Sequence, residues 1–493
     1  MKIAFICDMH LPESQNSPQY VFFKRAVSRM RRDNIKTVVN LGDITSFGQV
    51  SPFEDYLTEM RNFESYYVFG NSEVRNVETL EQIMNFKTEP SFKVGDRTFL
   101  GINTPYADID ENDRVRLEKL SDGDVVFLHH YVKSLHKDSR EFFEKLLGKK
   151  SLTVFHGHAH YYIEEAVGKS RVYGLRALDP DKSVGNYPCI TYVDITDENI
   201  TLEEKLFCVG EKSIFGIREY FGISCVDNAR DLTYAIENGV KNVEIRCRKV
   251  TDVDYSVIPL VQRWRDAGGK YLSLHMPDIK FKDGEFSAVE QWNDALGYAK
   301  ALGVNGLTIH PPKAKVGEVA DREVYESFLT YYAEAVESVG DSVHVGIENM
   351  HMTEGEKNDL NRCFGCSPEE VLSWIDAINE RLGKKGRVGQ TLDVGHARNN
   401  GIIASTDPIS RWYEKMGNRA VAYHIHQTVK EGKGLKNHCP IDDWFGPMIS
   451  YVSFLYAWDV GMINHVPVFL EVKGAENYDV SVKAFEKNFI KKL

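Results

Sequence analysis

Met1-Lys2-Ile3-Ala4-Phe5-Ile6-Cys7-Asp8-Met9-His10 opens the chain as a short, β-prone apolar run that stops at an aspartate and a histidine. Further runs of this kind lie at 37–41, 66–69, 98–102, 125–128, 153–155 and 189–193, with amphipathic stretches at 21–32 and 140–147 between some of them. The alternation predicts a layered α/β sandwich. Five of the runs end on groups that can do chemistry. Asp8-Met9-His10 follows the first, Gly42-Asp43 the second and Gly70-Asn71-Ser72-Glu73 the third, while His129-His130 and Gly157-His158-Ala159-His160 close two more. Turns favour Asp and Gly in any case, so one such match means little. Five in order, at strand ends where loops of an open sheet converge, predict one pocket able to hold two cations.

Beyond 196–213, where the chain turns acidic and polar, the rhythm changes, and a boundary is expected there, with domains at 1–205 and 213–493. Strand-like segments then fall at 219–224, 242–246, 271–275, 306–310, 343–348, 388–393, 420–425 and 467–472, most of them followed by a helical pattern such as 292–302 or 323–338. Eight β/α units in this length predict a (β/α)8 TIM barrel. Ionisable groups stand at or just past the carboxyl ends of these strands: Glu244, His275, His310, Glu348, Asp393 with His396, His424 with His426, and Glu471, with His438 in a later loop. That face carries the chemistry of such barrels. A carboxylate ending an apolar run, as in Val345-Gly346-Ile347-Glu348 or Val468-Phe469-Leu470-Glu471, is costly to bury without a cation partner.

At 493 residues and 42% hydrophobic content the chain can build more than one core. Lys plus Arg number 60 and Asp plus Glu 72, a balance of −12, and no basic block exceeds Arg29-Met30-Arg31-Arg32. This disfavours broad nonspecific binding to nucleic acid or anionic membrane. No apolar run approaches a membrane span, and eight scattered cysteines read as reduced thiols, so a cytoplasmic setting is expected. Cys363-Phe364-Gly365-Cys366 has redox or zinc spacing but no second pair, which favours a plain loop.

The ordered set in the first half resembles the calcineurin-like metallophosphoesterases, whose pattern is Asp-x-His, Gly-Asp, Gly-Asn-His-Asp/Glu, His, Gly-His-x-His. The resemblance covers about residues 1–195 and implies that Asp8, His10 and His160 hold one metal and Asn71, His129 and His158 the other, with Asp43 bridging. His129 is preferred over His130 as the first histidine after its strand. Mixed N/O ligation suits Mn, Fe, Zn or Ni rather than Ca. Ser72 stands where the family has the histidine that can protonate a leaving group. A serine is no general acid at neutral pH, which tilts the expected activity toward phosphodiesters. Asp43 and Asn71 are the catalytic candidates, with Ser72 and His130 available to substrate.

The barrel half resembles the xylose-isomerase-like superfamily, which includes endonuclease IV and sugar isomerases and epimerases, over about residues 216–485. The resemblance implies a four-ligand site of Glu348, Asp393, His424 and Glu471. Matches to the endonuclease IV branch imply that His275 and His310 join Glu348 on one metal and that His396 and His438 hold another, for one to three barrel metals. Lys436 stands where an aspartate is expected two residues before His438, so a third metal is in doubt there. Lys436 is then a candidate for a substrate phosphate or carboxylate, and Asp442 or Asp443 for the missing ligand. Glu244, His351 and His426 are candidates to orient ligands or touch substrate. Two chemistries suit the site: hydrolysis of a phosphodiester on several metals, or proton movement beside a sugar carbonyl with Glu348 and Glu471 as bases. The expectation is a bifunctional hydrolase acting on a small phosphoester, a phosphorylated sugar or a nucleic-acid end. The alternatives are a phosphoesterase coupled to a sugar isomerase or epimerase, and a chain in which one domain is a regulatory binding module.

Overall fold

The computed structural model describes residues 1–493 except 88–89, 197–198, 211–213, 215, 248–251, 316–318, 320, 353–360, 402, 433 and 491–493; the side chains of 361–363 are also outside the description. The chain divides into two compact units, Met1–Cys208 with Ser450–Ser453, and Val209–Ile449 with Phe454–Leu493.

In the first unit the strands are β1 (Lys2–Ile6), β2 (Thr37–Asn40), β3 (Glu64–Tyr67), β4 (Ser91–Val94), β5 (Arg97–Ile102), β6 (Val125–Leu128), β7 (Thr153–His156), β8 (Ile163–Val167), β9 (Ser170–Gly174), β10 (Cys189–Ile195) and β11 (Ile200–Leu206). They form two sheets, β11-β10-β1-β2-β3 and β4-β5-β6-β7-β9-β8. Strand alternation decides the layering. Ile3 and Phe5 of β1 join Val125 and Phe127 of β6 in the core between the sheets. Ala4 and Ile6 face the other way, with Tyr20, Phe23, Val27 and Met30 of helix Pro18–Arg32. Val126 and Leu128 turn outward to Phe143 and Leu147 of helix Lys137–Lys149. The result is the expected α/β sandwich, helix layers outside two sheets.

All seven expected strands are present, and among the described residues four more appear. β4 and β8 carry little apolar signal because they lie at the edges of their sheet and are half exposed. β11 runs through the acidic stretch read as a boundary. Its residues Ile-Thr-Leu-Glu-Glu-Lys-Leu pair with β10 along the whole strand; Ile200 and Leu202 pack on the core between the sheets, Glu204 on that side pairs with Arg176 at 2.9 Å, and Glu203 is exposed. Residues 211–213 of the expected boundary lie outside the described residues.

In the second unit, β12 (Phe221–Ser224), β13 (Asn242–Arg246), β14 (Tyr271–His275), β17 (Gly306–Ile309), β19 (His344–Glu348), β21 (Val388–Asp393), β22 (Ala420–Ile425) and β25 (Val468–Leu470) close into a parallel barrel in that order. These are the eight strands expected, with ends shifted by at most two residues. Short strands β15 (Lys280–Lys282), β16 (Glu285–Ser287), β18 (Lys313–Lys315) and β20 (Asn361–Cys363) form a small extra sheet, and β23 (Gln427–Glu431) pairs with β24 (Gly434–Cys439) as a hairpin. Both lie in loops after barrel strands, so they decorate the carboxyl face. No helix among the described residues is long and apolar enough to cross a membrane.

Candidate functional site

In the first unit each expected ligand leaves the end of a strand. Asp8 and His10 follow β1, Asp43 follows β2, Asn71 follows β3, His129 follows β6, and His158 and His160 follow β7. Five of the seven have left-handed backbone: Asp8 (φ +49°), His10 (+45°), Asp43 (+51°), His158 (+65°) and His160 (+64°). Non-glycine residues hold this conformation only where surrounding structure enforces it, at about 1–3 kcal/mol each, and such strain gathers at functional sites.

Asp43 is the centre. Its Oδ2 lies 3.0 Å from His10 Nε2 and its Oδ1 3.4 Å from His129 Nε2. Asp8, His10 and His160 converge closely enough to hold one ion, as do Asp8, Asp43 and His129. The Asn71 amide lies 3.0 Å from His158 Nδ1 and 3.2 Å from His129 Nε2, and those two nitrogens are 3.3 Å apart. With the amide oxygen turned to them, three lone pairs face one point, which fits a cation. The opposite amide orientation donates to both rings and lets the oxygen accept from Arg75 at 2.5 Å. Burial raises the Asp43 carboxyl, yet the His129 and His10 imidazoles hold it well below the usual range. Burial, then the neighbouring His129, pushes His158 down to about 4 and His130 to about 3.

Two supporting residues escaped the sequence reading. Asp179 Oδ2 lies 3.2 Å from His10 Nδ1, and its Oδ1 accepts from Gln19 Nε2 at 3.1 Å, so the imidazole is fixed from behind. Buried Glu73 accepts backbone N–H bonds from Asp43 (3.0 Å), Thr45 (3.0 Å) and Gly70 (2.8 Å), lacing the two glycine turns together. Glu73 was visible in its motif; Asp179, in a loop far along the chain, had no signal. Ser72 is not turned to a substrate, because its hydroxyl donates to Glu73 Oε1 at 3.2 Å while its backbone N–H donates to Asp43 Oδ1 at 2.8 Å. His130 packs 4.5 Å from the His158 ring, with Nδ1 at 3.3 Å from the Thr104 hydroxyl.

In the barrel, Glu348 is the centre. Its Oε2 lies 3.1 Å from His275 Nε2 and 3.2 Å from His310 Nε2, and its Oε1 3.3 Å from His424 Nδ1. His424 Nδ1 is also 3.3 Å from Glu471 Oε2. Glu348, Asp393, His424 and Glu471 converge as one group, and His275, Glu348 and His424 as another. Glu348 Oε1, Asp393 Oδ2 and His424 Nδ1 are buried without a hydrogen bond among the described residues. Oxygen and nitrogen lone pairs crowded together in this way are costly unless a cation shares them, so the donor set fits a metal. The far nitrogens are tied down: His275 Nδ1 to Met276 O (3.1 Å), His310 Nδ1 to Asp278 Oδ1 (2.6 Å) and His424 Nε2 to Glu244 Oε2 (3.0 Å). Glu244 is thus placed to orient His424. Burial opposes its charge, but His424 draws its carboxyl down to about 2. Against the same burial, Glu244 and Glu348 raise His424 to about 10, and Glu348 and Asp278 raise His310 to about 9. The carboxylates thus favour positive charge at His424 and His310, whereas burial pushes His275, on the same Glu348, down to about 4.

Arg246, missed in the sequence, ends β13 with its guanidinium paired to Glu471. It sits two residues beyond Glu244, hence on the same inward side of the strand. Lys436 is not brought to the ligands; half exposed, it lies 3.5 Å from Glu431 across the β23–β24 hairpin. Neither Asp442, which is exposed, nor Asp443, whose Oδ1 accepts from Phe445 N at 2.9 Å, joins a ligand group among the described residues. The His351 ring packs 4.8 Å from that of His396, tilted by 38°, and the rings of His426 and His438 pack 4.5 Å apart. The Cys363 side chain lies outside the described residues, and Cys366 is buried. A cavity of about 250 Å³ lined by His275, Asp278, Lys280, Gln291 and His310 opens beside the ligands. A larger cavity, about 880 Å³, lies at the opposite, amino ends of the strands, away from the face that carries these groups.

A profile of the xylose isomerase-like TIM barrel matches residues 232–486, and one of the calcineurin-like phosphoesterase superfamily domain matches 1–180. No curated protein matches the chain. Among solved structures, a D-tagatose 3-epimerase-like protein aligns over 55% of this chain and 99% of its own, at 20% identity and a TM-score of 0.39. A D-psicose 3-epimerase solved in the presence of D-fructose aligns over 55% and 99%, at 12% identity and 0.38. A protein from Streptococcus pneumoniae described as a predicted phosphoesterase aligns over 42% and 88%, at 11% and 0.25. The chain therefore belongs to the xylose isomerase-like TIM barrel family and carries a calcineurin-like phosphoesterase domain ahead of the barrel.

Proposed function

We propose that the chain is a two-site metalloenzyme whose first unit hydrolyses phosphoesters, diesters in preference to monoesters. The observation that carries this reading is the divided carboxylate of Asp43, one oxygen toward His10 and the other toward His129. Divalent cations held on the two sides would supply Lewis acidity and charge neutralisation for in-line attack on phosphorus. The chain's own residues do the positioning. Asp179 holds His10, Glu73 holds the turn that presents Asp43, and burial keeps His158 a neutral donor. Because the Ser72 hydroxyl is committed to Glu73, nothing at that position protonates a departing alkoxide, which favours substrates with good leaving groups. Mn, Fe, Zn and Ni all suit the donors. Protein reloaded with Mn is expected to hydrolyse bis-p-nitrophenyl phosphate. Asp43→Asn should lower the rate by more than about 100-fold, beyond the 10–100-fold typical of residues behind the ligands, and Glu348→Gln should leave it intact. Hydrolysis unchanged in Asp43→Asn would overturn the assignment.

For the barrel we propose a multinuclear site acting on a phosphodiester or a phosphorylated sugar, a nucleic-acid end included. His275 and His310 on Glu348, beyond the four-ligand group, support more than one metal, and Lys280 in the adjoining cavity suits an anionic substrate. A sugar isomerase or epimerase is the second reading, supported by Glu348 and Glu471, each 3.3 Å from His424 Nδ1, as paired carboxylates flanking one point. Cleavage of abasic-site DNA separates the first reading from aldose–ketose interconversion, and Glu348→Gln should abolish whichever is found. If neither activity appears in metal-loaded protein, the barrel is a binding module. None of the seven described cysteines forms a disulfide, which supports a cytoplasmic setting.

A further inference from the structure

We propose that a groove along the solvent side of helix Pro18–Arg32 binds the phosphate backbone of single-stranded nucleic acid, and so presents an oligonucleotide to the first unit. The second half of this statement rests on the reading of that unit as a phosphodiesterase; the groove itself does not.

The groove encloses about 510 Å³. One wall is the helix at positions 21, 24, 25, 28, 29 and 32, and the other is Leu206 and Phe207 at the end of β11. Steps of three and four residues keep the helix positions on a single stripe, about 16 Å long at ~1.5 Å per residue. The opposite face, with Tyr20, Phe23, Val27 and Met30, fills the core. Four side chains of the stripe are cations, Lys24, Arg25, Arg29 and Arg32, and none of the lining residues is acidic. Asp33, just past the helix, shares one charge between Arg29 at 2.6 Å and Arg32 at 3.8 Å. Arg31 points elsewhere and pairs with Glu59 at 3.1 Å. Arg29 and Arg32 also suit the carboxyl end of a helix, where cations offset its dipole. Lys24 and Arg25, exposed and in mid-helix, gain nothing from that end.

A row of cations over an apolar floor matches an unpaired strand, with phosphates against the row and bases against Val21, Leu206 and the ring of Phe207. Three of the four cations are arginines, whose planar fork grips two phosphate oxygens at once. An acidic peptide would meet the charges but bring no flat faces to the floor. The groove also has a direction. It starts within one turn of Gln19, whose Nε2 donates to Asp179 at 3.1 Å and to Asp181 at 2.7 Å, and Asp179 holds His10. A strand laid along the helix therefore runs toward the pocket around Asp43. The balance of −12 over the whole chain repels a polyanion elsewhere and confines binding to this stripe.

The test is fluorescence anisotropy of a labelled oligothymidylate of about 12 nucleotides, titrated with the full chain in chelator so that no cleavage occurs. Four phosphate contacts at about −0.7 each predict a slope of log K against log salt near −3, or about 50-fold weaker binding at 200 mM than at 50 mM salt. The double variant Lys24→Gln, Arg25→Gln should halve that slope and bind at least about 10-fold more weakly at 50 mM, while its circular dichroism and its Mn-dependent hydrolysis of bis-p-nitrophenyl phosphate match wild type. Equal affinity and slope in wild type and the folded variant would overturn the proposal, as would no binding at 50 mM salt. Displacement of the oligonucleotide by oligoglutamate at a lower concentration than by unlabelled oligothymidylate would overturn it in favour of an acidic protein. If Asp43→Asn spares hydrolysis while the oligonucleotide still binds through Lys24 and Arg25, the phosphodiesterase reading falls and the groove stands.

Discussion

Close behind Asp43 there is space for a hydrogen and nothing larger. A Cβ on Gly70 would stand 2.3 Å from Asp43 Oδ1 and 2.6 Å from its backbone nitrogen, and Gly42 has φ +93°. Gly70→Ala should therefore displace the Asp43 carboxylate. We expect diesterase activity to fall by at least about 100-fold, more than a residue behind the ligands would cost, with a stability loss of about 1–3 kcal/mol by denaturant titration. Wild-type activity in this variant would show that Asp43 is not held where it must be. At this scale the positions of the candidate ligands at strand ends were legible in the sequence, because position and residue type coincide there. It was silent on Asp179, Asp278 and Arg246. They act on ligands brought near by folding rather than by spacing, and an aspartate in a loop or an arginine at a strand end looks like any solvated charge.

Helix Pro18–Arg32 covers the outer face of the first sheet, burying Tyr20, Phe23, Ala26, Val27 and Met30 at near-helical spacing. Ser17 caps it, accepting from Tyr20 N at 3.3 Å, and Pro18 starts it. Ser17→Ala should cost about 1 kcal/mol, read as a lower denaturation midpoint for the first unit with barrel metal content unchanged. A midpoint equal to wild type would mean that the cap carries no stability. Element identity was readable where apolar periodicity is strong, as in this helix and the eight barrel strands. β11 was not read as a strand, because it lies inside the acidic, polar stretch 196–213 where a boundary was expected. An edge strand needs one apolar face only, and its pairing partner β10 supplies the rest of the signal.

For the molecule as a whole, both ligand sets bury like charges and lone pairs that a bound ion would share. Metal saturation at one hundred times Kd should stabilise each unit by about 2.7 kcal/mol. Chelation is thus expected to lower the melting temperature by roughly 5 °C or more for units of this size, and re-addition of Mn or Zn should restore it. A thermogram indifferent to chelator would count against metal in either unit.

The strand that closes the barrel has a consequence for how the protein is made. β25 lies between β22 and β12, and Glu471 just beyond it completes the four-ligand group. The interval from Glu348 is 471 − 348 = 123 residues. At roughly 5–20 residues per second a ribosome takes about 6–25 s to cross it. The amino-terminal group, whose candidate ligands end at His160 and whose supporting Asp179 and β10 follow by residue 195, is translated well before Glu471, so a nascent chain in a metal-poor cell would fill the two proposed centres in sequence rather than together.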